Sequence, residues 1–227
     1  MNVGSVLYAH YIDSWGYDKF DHPESYGLAR EYFIRRATFE DRSFLISKLA
    51  GKTVNLKLKS ADNTSIGSWF IFSDAFYRQL PYPPTPPPNA TTDFTSSQRK
   101  SISSALQNNP TILFLHGNAG TRALPLRTVI YTALTSRLNV NIMVIDYRGF
   151  GDSEGHPSVG GVSMDARAGW DFLISEGAKP EDVLIMGHSL GTAIAALLAA
   201  ELGGEGVQPR GTVLMSVRLS FFLFFSF

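Results

Sequence analysis

The sequence contains no cysteine, which excludes disulfides, thiolate catalysis and cysteine-based metal sites. It also has no excess charge of either sign, because 20 Lys and Arg balance 20 Asp and Glu, so electrostatics give no reason to expect a nucleic-acid partner. No run of about 18 apolar residues predicts a transmembrane helix, and the first ten residues lack the apolar core of a signal peptide. The remaining composition is that of a globular protein, with 44% hydrophobic and 18% charged residues.

The most informative stretch is an apolar run that leads into a glycine-bounded serine. Val183–Gly187 predicts a short buried strand, and the Ala-rich Thr192–Leu202 predicts a helix packed closely on a sheet. Between them lies Gly187-His188-Ser189-Leu190-Gly191, a G-x-S-x-G motif. We expect the glycines to permit a tight strand-to-helix turn that exposes Ser189 at the helix N-terminus, where an anionic intermediate is favoured. This context predicts a nucleophile elbow.

A second glycine-bearing turn follows another apolar run. His116-Gly117-Asn118-Ala119-Gly120 comes directly after Thr111–Leu115, which reads as a central parallel strand. Acyl transfer needs two backbone N–H donors aimed at the developing oxyanion, one from the residue after the nucleophile and one from a loop of this kind. We therefore predict that the N–H groups of Leu190 and Asn118 form an oxyanion hole. The alternative is an ordinary glycine-containing turn.

The segment Asp146–Gly155 also follows a predicted strand and contains three glycines. It could suggest a dinucleotide-binding fingerprint, but Glu154 stands where the third glycine of G-x-G-x-x-G is required. We interpret the segment as the loop that shapes the mouth of the pocket. Asp146 and Arg148 are predicted to belong to a structural polar network.

Periodicity elsewhere predicts an α/β fold with a mostly parallel sheet and an N-terminal antiparallel hairpin. The hairpin is predicted at 52–59 and 66–72, with one solvated face. Further strands are predicted at 111–115, 141–145, 183–187 and 211–215, and helices at 98–107, 124–138, 159–175 and 192–202. The helix at 124–138 is predicted to bury its apolar side chains, which are Leu126, Val129, Ile130, Ala133 and Leu134.

Composition divides the chain into three parts. Residues 1–50 are rich in aromatics without periodicity, and we predict an irregular segment over the domain surface, or alternatively a lipid-contact patch. Residues 51–216 form a partial α/β domain that includes a Pro-rich spacer and short helix at 80–110. Residues 217–227 are an apolar tail, which we hypothesise to be a translated intron, since Phe, Leu and Ser codons can be entirely pyrimidine. A genuine apolar strand is the alternative.

Three motifs in this order resemble the α/β-hydrolase superfamily: His116–Gly120, Asp146–Gly155 and Gly187–Gly191. The resemblance implies an α/β-hydrolase fold and a Ser-His-Asp serine hydrolase without metal or cofactor, in which Ser189 is the nucleophile. It further implies a lipid or small acyl-ester substrate, such as a monoacylglycerol or lysophospholipid, and association with the endoplasmic reticulum membrane.

The sequence departs from the superfamily pattern after the elbow, where the triad acid and histidine should follow the serine. Residues 190–227 contain neither histidine nor aspartate, so we expect the last strands and helices of the sheet to be missing as well. None of the five histidines is expected to be the missing base. His188 lies within the elbow, His116 in the predicted oxyanion loop, His156 just after the segment Asp146–Gly155, and His10 and His22 in the N-terminal segment. Without a base, Ser189 is expected to be a weak nucleophile. A catalytically inactive fragment and an acyl-protein thioesterase (depalmitoylase) or small-ester esterase remain alternatives.

Overall fold

The computed structural model describes residues 49, 51–80 and 95–215, which form a six-stranded sheet with helices around it. The strands are β1 (Thr53–Lys59), β2 (Ser65–Ile71), β3 (Thr111–Leu115), β4 (Asn141–Ile145), β5 (Val183–His188) and β6 (Gly211–Met215). The helices are α1 (Asp74–Tyr77), α2 (Ser96–Asn108), α3 (Pro125–Arg137), α4 (Val159–Ser175) and α5 (Leu190–Gly204). A short 3₁₀ turn, Pro180–Asp182, precedes β5.

The sheet order is β1-β2-β4-β3-β5-β6. β2 pairs antiparallel with both β1 and β4, and the remaining pairs are parallel. This arrangement confirms the predicted mostly parallel sheet with an N-terminal antiparallel hairpin. Because Leu115 at the end of β3 is opposite Gly187 near the end of β5, the loops after these two strands emerge side by side.

The hairpin is less solvated than predicted. In β1 the apolar Val54, Leu56 and Leu58 are buried, and the side chains between them are at least partly exposed. In β2, however, every residue except Trp69 is buried, because β2 lies between β1 and β4 rather than at an edge. The expectation of one solvated face therefore holds for β1 and is wrong for β2.

Helix α3 forms where predicted, but its buried face is only partly the predicted one, since Ile130 and Leu134 pack against the core. Its buried residues are Arg127, Thr128, Tyr131 and Thr135. Leu126 and Val129 are instead 68% and 47% exposed, and Ile130, Ala133 and Leu134 are partly exposed. The Tyr131 ring packs edge-on against Phe114 of β3 with centroids 5.2 Å apart. This contact and the burial of Arg127 fix the rotation of the helix.

The other predicted elements agree with the structure. Helix α2 extends the prediction by two residues at its start and one at its end, and a reciprocal capping box between Thr95 and Gln98 begins it. Helix α4 buries its apolar residues at helical spacing, Val162, Ala166, Trp170 and Leu173, and Gly177 follows it with a φ of +103°. At the edge of the described sheet, β6 exposes Val213 and Leu214. The predictions for 1–48, for the proline run at 81–94 and for 216–227 fall outside the described residues.

Candidate active site

Ser189 occupies a strained turn between β5 and α5. Its φ of +52° and ψ of −113° are values that a non-glycine residue rarely adopts. A Cβ on Gly187 would be 2.6 Å from the carbonyl carbon of Gly191, and one on Gly191 would be 2.6 Å from that of Leu115. Both positions therefore require glycine. The Ser189 N–H donates to the Met215 carbonyl oxygen at 3.0 Å, which ties the turn to the end of β6.

The loop after β3 lies directly beside this serine. A Cβ on Gly117 would be 3.1 Å from both the Ser189 Cβ and the His188 Nδ1, so glycine lets the loop approach the elbow. The Gly117 carbonyl oxygen accepts from the His116 Nδ1 at 2.8 Å and from Arg127 at 2.7 Å. In a trans peptide the next N–H points the opposite way, so the Asn118 N–H is directed away from Arg127.

The same loop is held along its length by buried side chains. The Tyr147 hydroxyl donates to the His116 carbonyl oxygen at 2.9 Å. A positive φ is adopted by Ala119 (+62°) and Gly120 (+68°), and a Cβ on Gly120 would be 2.5 Å from a methyl group of Leu124. Leu190 is the first residue of α5 and follows Ser189 directly. The predicted donors Asn118 and Leu190 and the predicted nucleophile Ser189 therefore lie at the same edge of the sheet, where β3 and β5 end.

A family model described as the alpha/beta hydrolase fold matches residues 110–209, which include the loop after β3 and the turn that bears Ser189. This part of the chain belongs to the α/β-hydrolase superfamily. A solved α/β hydrolase from Vibrio vulnificus has the same fold, with a TM-score of 0.55 and 21% identity over 84% of this chain and 57% of that one. The thermophilic carboxylesterase EstE1 from a metagenomic library gives a TM-score of 0.51 at 17% identity over 80% of this chain and 53% of that one.

Curated relatives extend the similarity to the N-terminal part of this hydrolase-fold chain. The lysophosphatidylserine lipase ABHD12 of Danio rerio is 33% identical over 81% of the chain and 44% of its own length. The rat protein of the same name is also 33% identical, over 81% of the chain and 42% of its own length. Protein bem46 of Schizosaccharomyces pombe is 35% identical over 42% of the chain and 31% of its own length. The chain thus spans less than half the length of these relatives.

No histidine in the described ranges donates to or accepts from the Ser189 hydroxyl. His116 is fully buried, with Nδ1 against the Gly117 carbonyl and Nε2 3.0 Å from an Asp146 carboxylate oxygen, although the Nε2 contact is not aligned as a hydrogen bond. Burial, and secondarily the charge of Arg127, lower the pKa of His116 and of His188. His156 is exposed in the loop after β4.

Two arginines hold the loop Asp146–Gly155 in place through buried ion pairs. Arg122 bridges a carboxylate oxygen of Asp146 at 2.5 Å and one of Asp152 at 2.6 Å. Arg148 bridges Asp165 at 2.8 Å and Asp62 at 2.7 Å. These contacts agree with the structural network predicted for Asp146 and Arg148. Sequence motifs give no sign of Arg122 or of the acids that lie outside the loop, because their partners are distant in sequence.

This network makes stability depend on pH. Burial opposes ionisation of Asp152, but the hydrogen bond and charge of Arg122, with help from Lys57, lower its pKa to about 2. Burial likewise opposes ionisation of Asp146, and its contacts with His116 and Arg122 outweigh this and lower its pKa. A carboxyl whose pKa is lower in the folded state stabilises the fold above its unfolded pKa of about 4, and that stability is lost as pH falls through the folded pKa.

We expect the free energy of unfolding to decline as pH falls from about 4 to about 2. The Asp152→Asn variant should lose part of this decline, by about 1 kcal/mol or less, because the 40% exposure of Asp152 lets water screen its ion pairs. Urea denaturation of both proteins at a series of pH values measures the difference. An unchanged pH profile in the variant would contradict the expectation.

In the described ranges no group of His, Asp or Glu is arranged to hold a metal ion. Over the same ranges, no helix is both long and apolar enough to cross a membrane.

Proposed function

We propose that this chain carries the nucleophile and the oxyanion hole of a serine hydrolase that acts on acyl esters of lipids. The Ser189 hydroxyl attacks the ester carbonyl, and the alcohol leaves with a proton to give an acyl-enzyme. Water then hydrolyses the acyl-enzyme and restores the serine. The N–H groups of Asn118 and Leu190 stabilise the oxyanion in both steps. The observation that carries the proposal is the strained Ser189 turn, with Gly117 directly beside it.

The lipid class rests on the relatives. Proteins named as lysophosphatidylserine lipases match 81% of the chain at 33% identity. This similarity favours single-chain lipid esters, namely lysophospholipids or monoacylglycerols, as substrates. Family resemblance also suggests association with the endoplasmic reticulum membrane, which we include in the proposal and which co-sedimentation with liposomes tests.

The proposed triad needs an acid and a histidine beyond the described residues. Each described histidine is either exposed or packed without a hydrogen bond to Ser189. We therefore propose that the described residues by themselves turn over esters slowly, because a triad without its base loses several orders of magnitude in rate. The same observation favours a second candidate, a hydrolase-fold fragment that binds but does not react.

A substrate panel distinguishes these candidates. Lysophosphatidylserine, a monoacylglycerol, a p-nitrophenyl ester and an S-palmitoyl peptide are each incubated with the chain, with and without imidazole as a soluble base. We expect imidazole to raise turnover of the single-chain lipids about tenfold, below the effect of a positioned base, and Ser189→Ala to remove this increment. Ser175→Ala, an exposed serine on α4, is the matched control.

Two outcomes of the substrate panel would contradict the lipase proposal. Preference for the S-palmitoyl peptide would replace the lipase proposal by a depalmitoylase. Absence of any Ser189-dependent turnover would favour the inactive fragment.

A further inference from the structure

We infer that Arg127 is the positioning residue of the oxyanion hole: its buried guanidinium fixes the direction of the N–H groups of the loop Gly117–Thr121 and places a positive charge behind them. The catalytic consequence rests on the function proposed above. The structural part of the inference depends only on the contacts of this side chain.

The guanidinium contacts four backbone carbonyl oxygens of this loop. Nη2 donates to the oxygens of Gly117 at 2.7 Å and Ala119 at 2.8 Å, with a longer contact of 3.5 Å to Asn118. Nη1 donates to the Thr121 oxygen at 2.7 Å. Because the planar fork has its donors in a rigid array, it holds these carbonyls on one side of the loop.

Fixing the carbonyls also fixes the opposing donors. Each trans peptide directs its N–H opposite to its carbonyl, and the described peptides include no cis bond. With the Gly117 carbonyl turned toward Arg127, the Asn118 N–H is turned away from it. Gly117 is itself in close approach to Ser189, so the arginine acts on the geometry of the reacting centre without touching it.

The orientation of helix α3 supports a role beyond folding. The apolar pattern of the helix would bury Leu126 and Val129, yet these are 68% and 47% exposed, whereas Arg127 is 5% exposed. Burying a guanidinium costs solvation free energy, and leaving apolar side chains in water loses the free energy that their burial would contribute. Local rules are broken in this way most often at functional sites. Here helix α3 directs Arg127, rather than Leu126, toward the loop.

The charge of Arg127 is not neutralised by a direct partner. Within the residues that the structure describes, no carboxylate forms an ion pair with it. Its field reaches the elbow, since after burial it is the other cause that lowers the pKa of His188, the neighbour of Ser189. A fixed positive charge behind the donors stabilises an oxyanion more strongly in a site shielded from water than in bulk solvent.

The experiment compares Arg127→Gln and Arg127→Lys with the wild-type chain. Arg137→Gln is the matched control, because Arg137 is an exposed arginine in the last turn of the same helix. The first readout is amide hydrogen exchange over Gly117–Thr121. The second is the rate of fluorophosphonate labelling of Ser189 with imidazole present, together with kcat and KM for a p-nitrophenyl ester.

For Arg127→Gln we expect exchange of the loop amides to rise about tenfold, with the amides of β3 and β5 unchanged. Labelling and kcat should fall about 100-fold, as when an oxyanion donor is removed, with KM changed by less than about threefold. Arg127→Lys keeps the charge but not the fork, and it should fall between the glutamine variant and the wild type. Arg137→Gln should behave as the wild type.

Failure of the inference and failure of the proposed function are separable. If the wild-type chain is not labelled at Ser189, the proposed function fails and the exchange experiment still decides the positioning role. Unchanged loop exchange in Arg127→Gln overturns the inference, whatever the labelling shows. Should the glutamine variant not fold, Arg127→Lys takes its place in the same comparison, with unchanged exchange again the contradicting result.

Discussion

Ser189→Ala is expected to abolish labelling of the chain by a fluorophosphonate in the presence of imidazole. The wild-type protein should gain one phosphonyl group, located on the peptide that contains Ser189. The reason is geometric: the elbow presents this hydroxyl at the N-terminus of α5, where the helix dipole and the N–H of Leu190 favour the anionic adduct. Loss of the nucleophile should lower the labelling rate at least about 100-fold.

Intact-protein mass spectrometry with peptide mapping measures this loss. Ser175→Ala should be labelled at the wild-type rate, because Ser175 is an exposed serine that donates only to the Phe172 carbonyl of its own helix. Equal labelling of Ser189→Ala and wild type, spread over several serines, would show that imidazole promotes unspecific reaction. That result would remove the main support for an active elbow.

Gly191→Ala is expected to destabilise the fold by about 3 kcal/mol or more. Its new Cβ would overlap the backbone of Leu115 at the end of β3. β3 is a central strand paired on both sides, so it cannot move without breaking ladder hydrogen bonds. The elbow would open before the strand shifted, and we expect Ser189 labelling to be lost with the stability.

Gly203→Ala is the matched control within the same helix. A Cβ at this position meets no atom within 4 Å, so alanine should stabilise α5 by about 0.5–1 kcal/mol through a smaller loss of backbone entropy. Urea denaturation of both variants measures the contrast. Destabilisation of similar size in both would mean that helix α5 is intolerant of alanine generally, rather than closely packed at the elbow.

The parts of the fold that local pattern determines could be predicted from the sequence. The elbow is one continuous stretch of strand, turn and helix, so its apolar run, its glycines and its Ala-rich helix are all visible together. The same holds for the hairpin and for α4, whose apolar spacing matches its buried face. The alternation of strands and helices also indicated a parallel sheet, whereas the pairing of β3 with β5, which sets their loops side by side, is seen only in the structure.

The orientation of α3 could not be predicted in this way. Periodicity counts apolar residues and assumes that they face the core, whereas here a loop rich in buried carbonyls competes for the same face. Arg127 contacts residues 6 to 10 positions earlier in the chain, a relation without periodic signal. Arg127, in the first turn of the helix, together with Thr128 and Thr135, was the available hint of a polar buried face.

A crystal structure of the chain after phosphonylation of Ser189 would test the oxyanion hole most directly. We expect the phosphoryl oxygen to lie about 2.7–3.1 Å from the backbone nitrogens of both Asn118 and Leu190, with the Arg127 contacts to the loop intact. A phosphoryl oxygen directed into solvent, or toward neither nitrogen, would show that the loop after β3 is an ordinary turn and would contradict the proposed oxyanion hole.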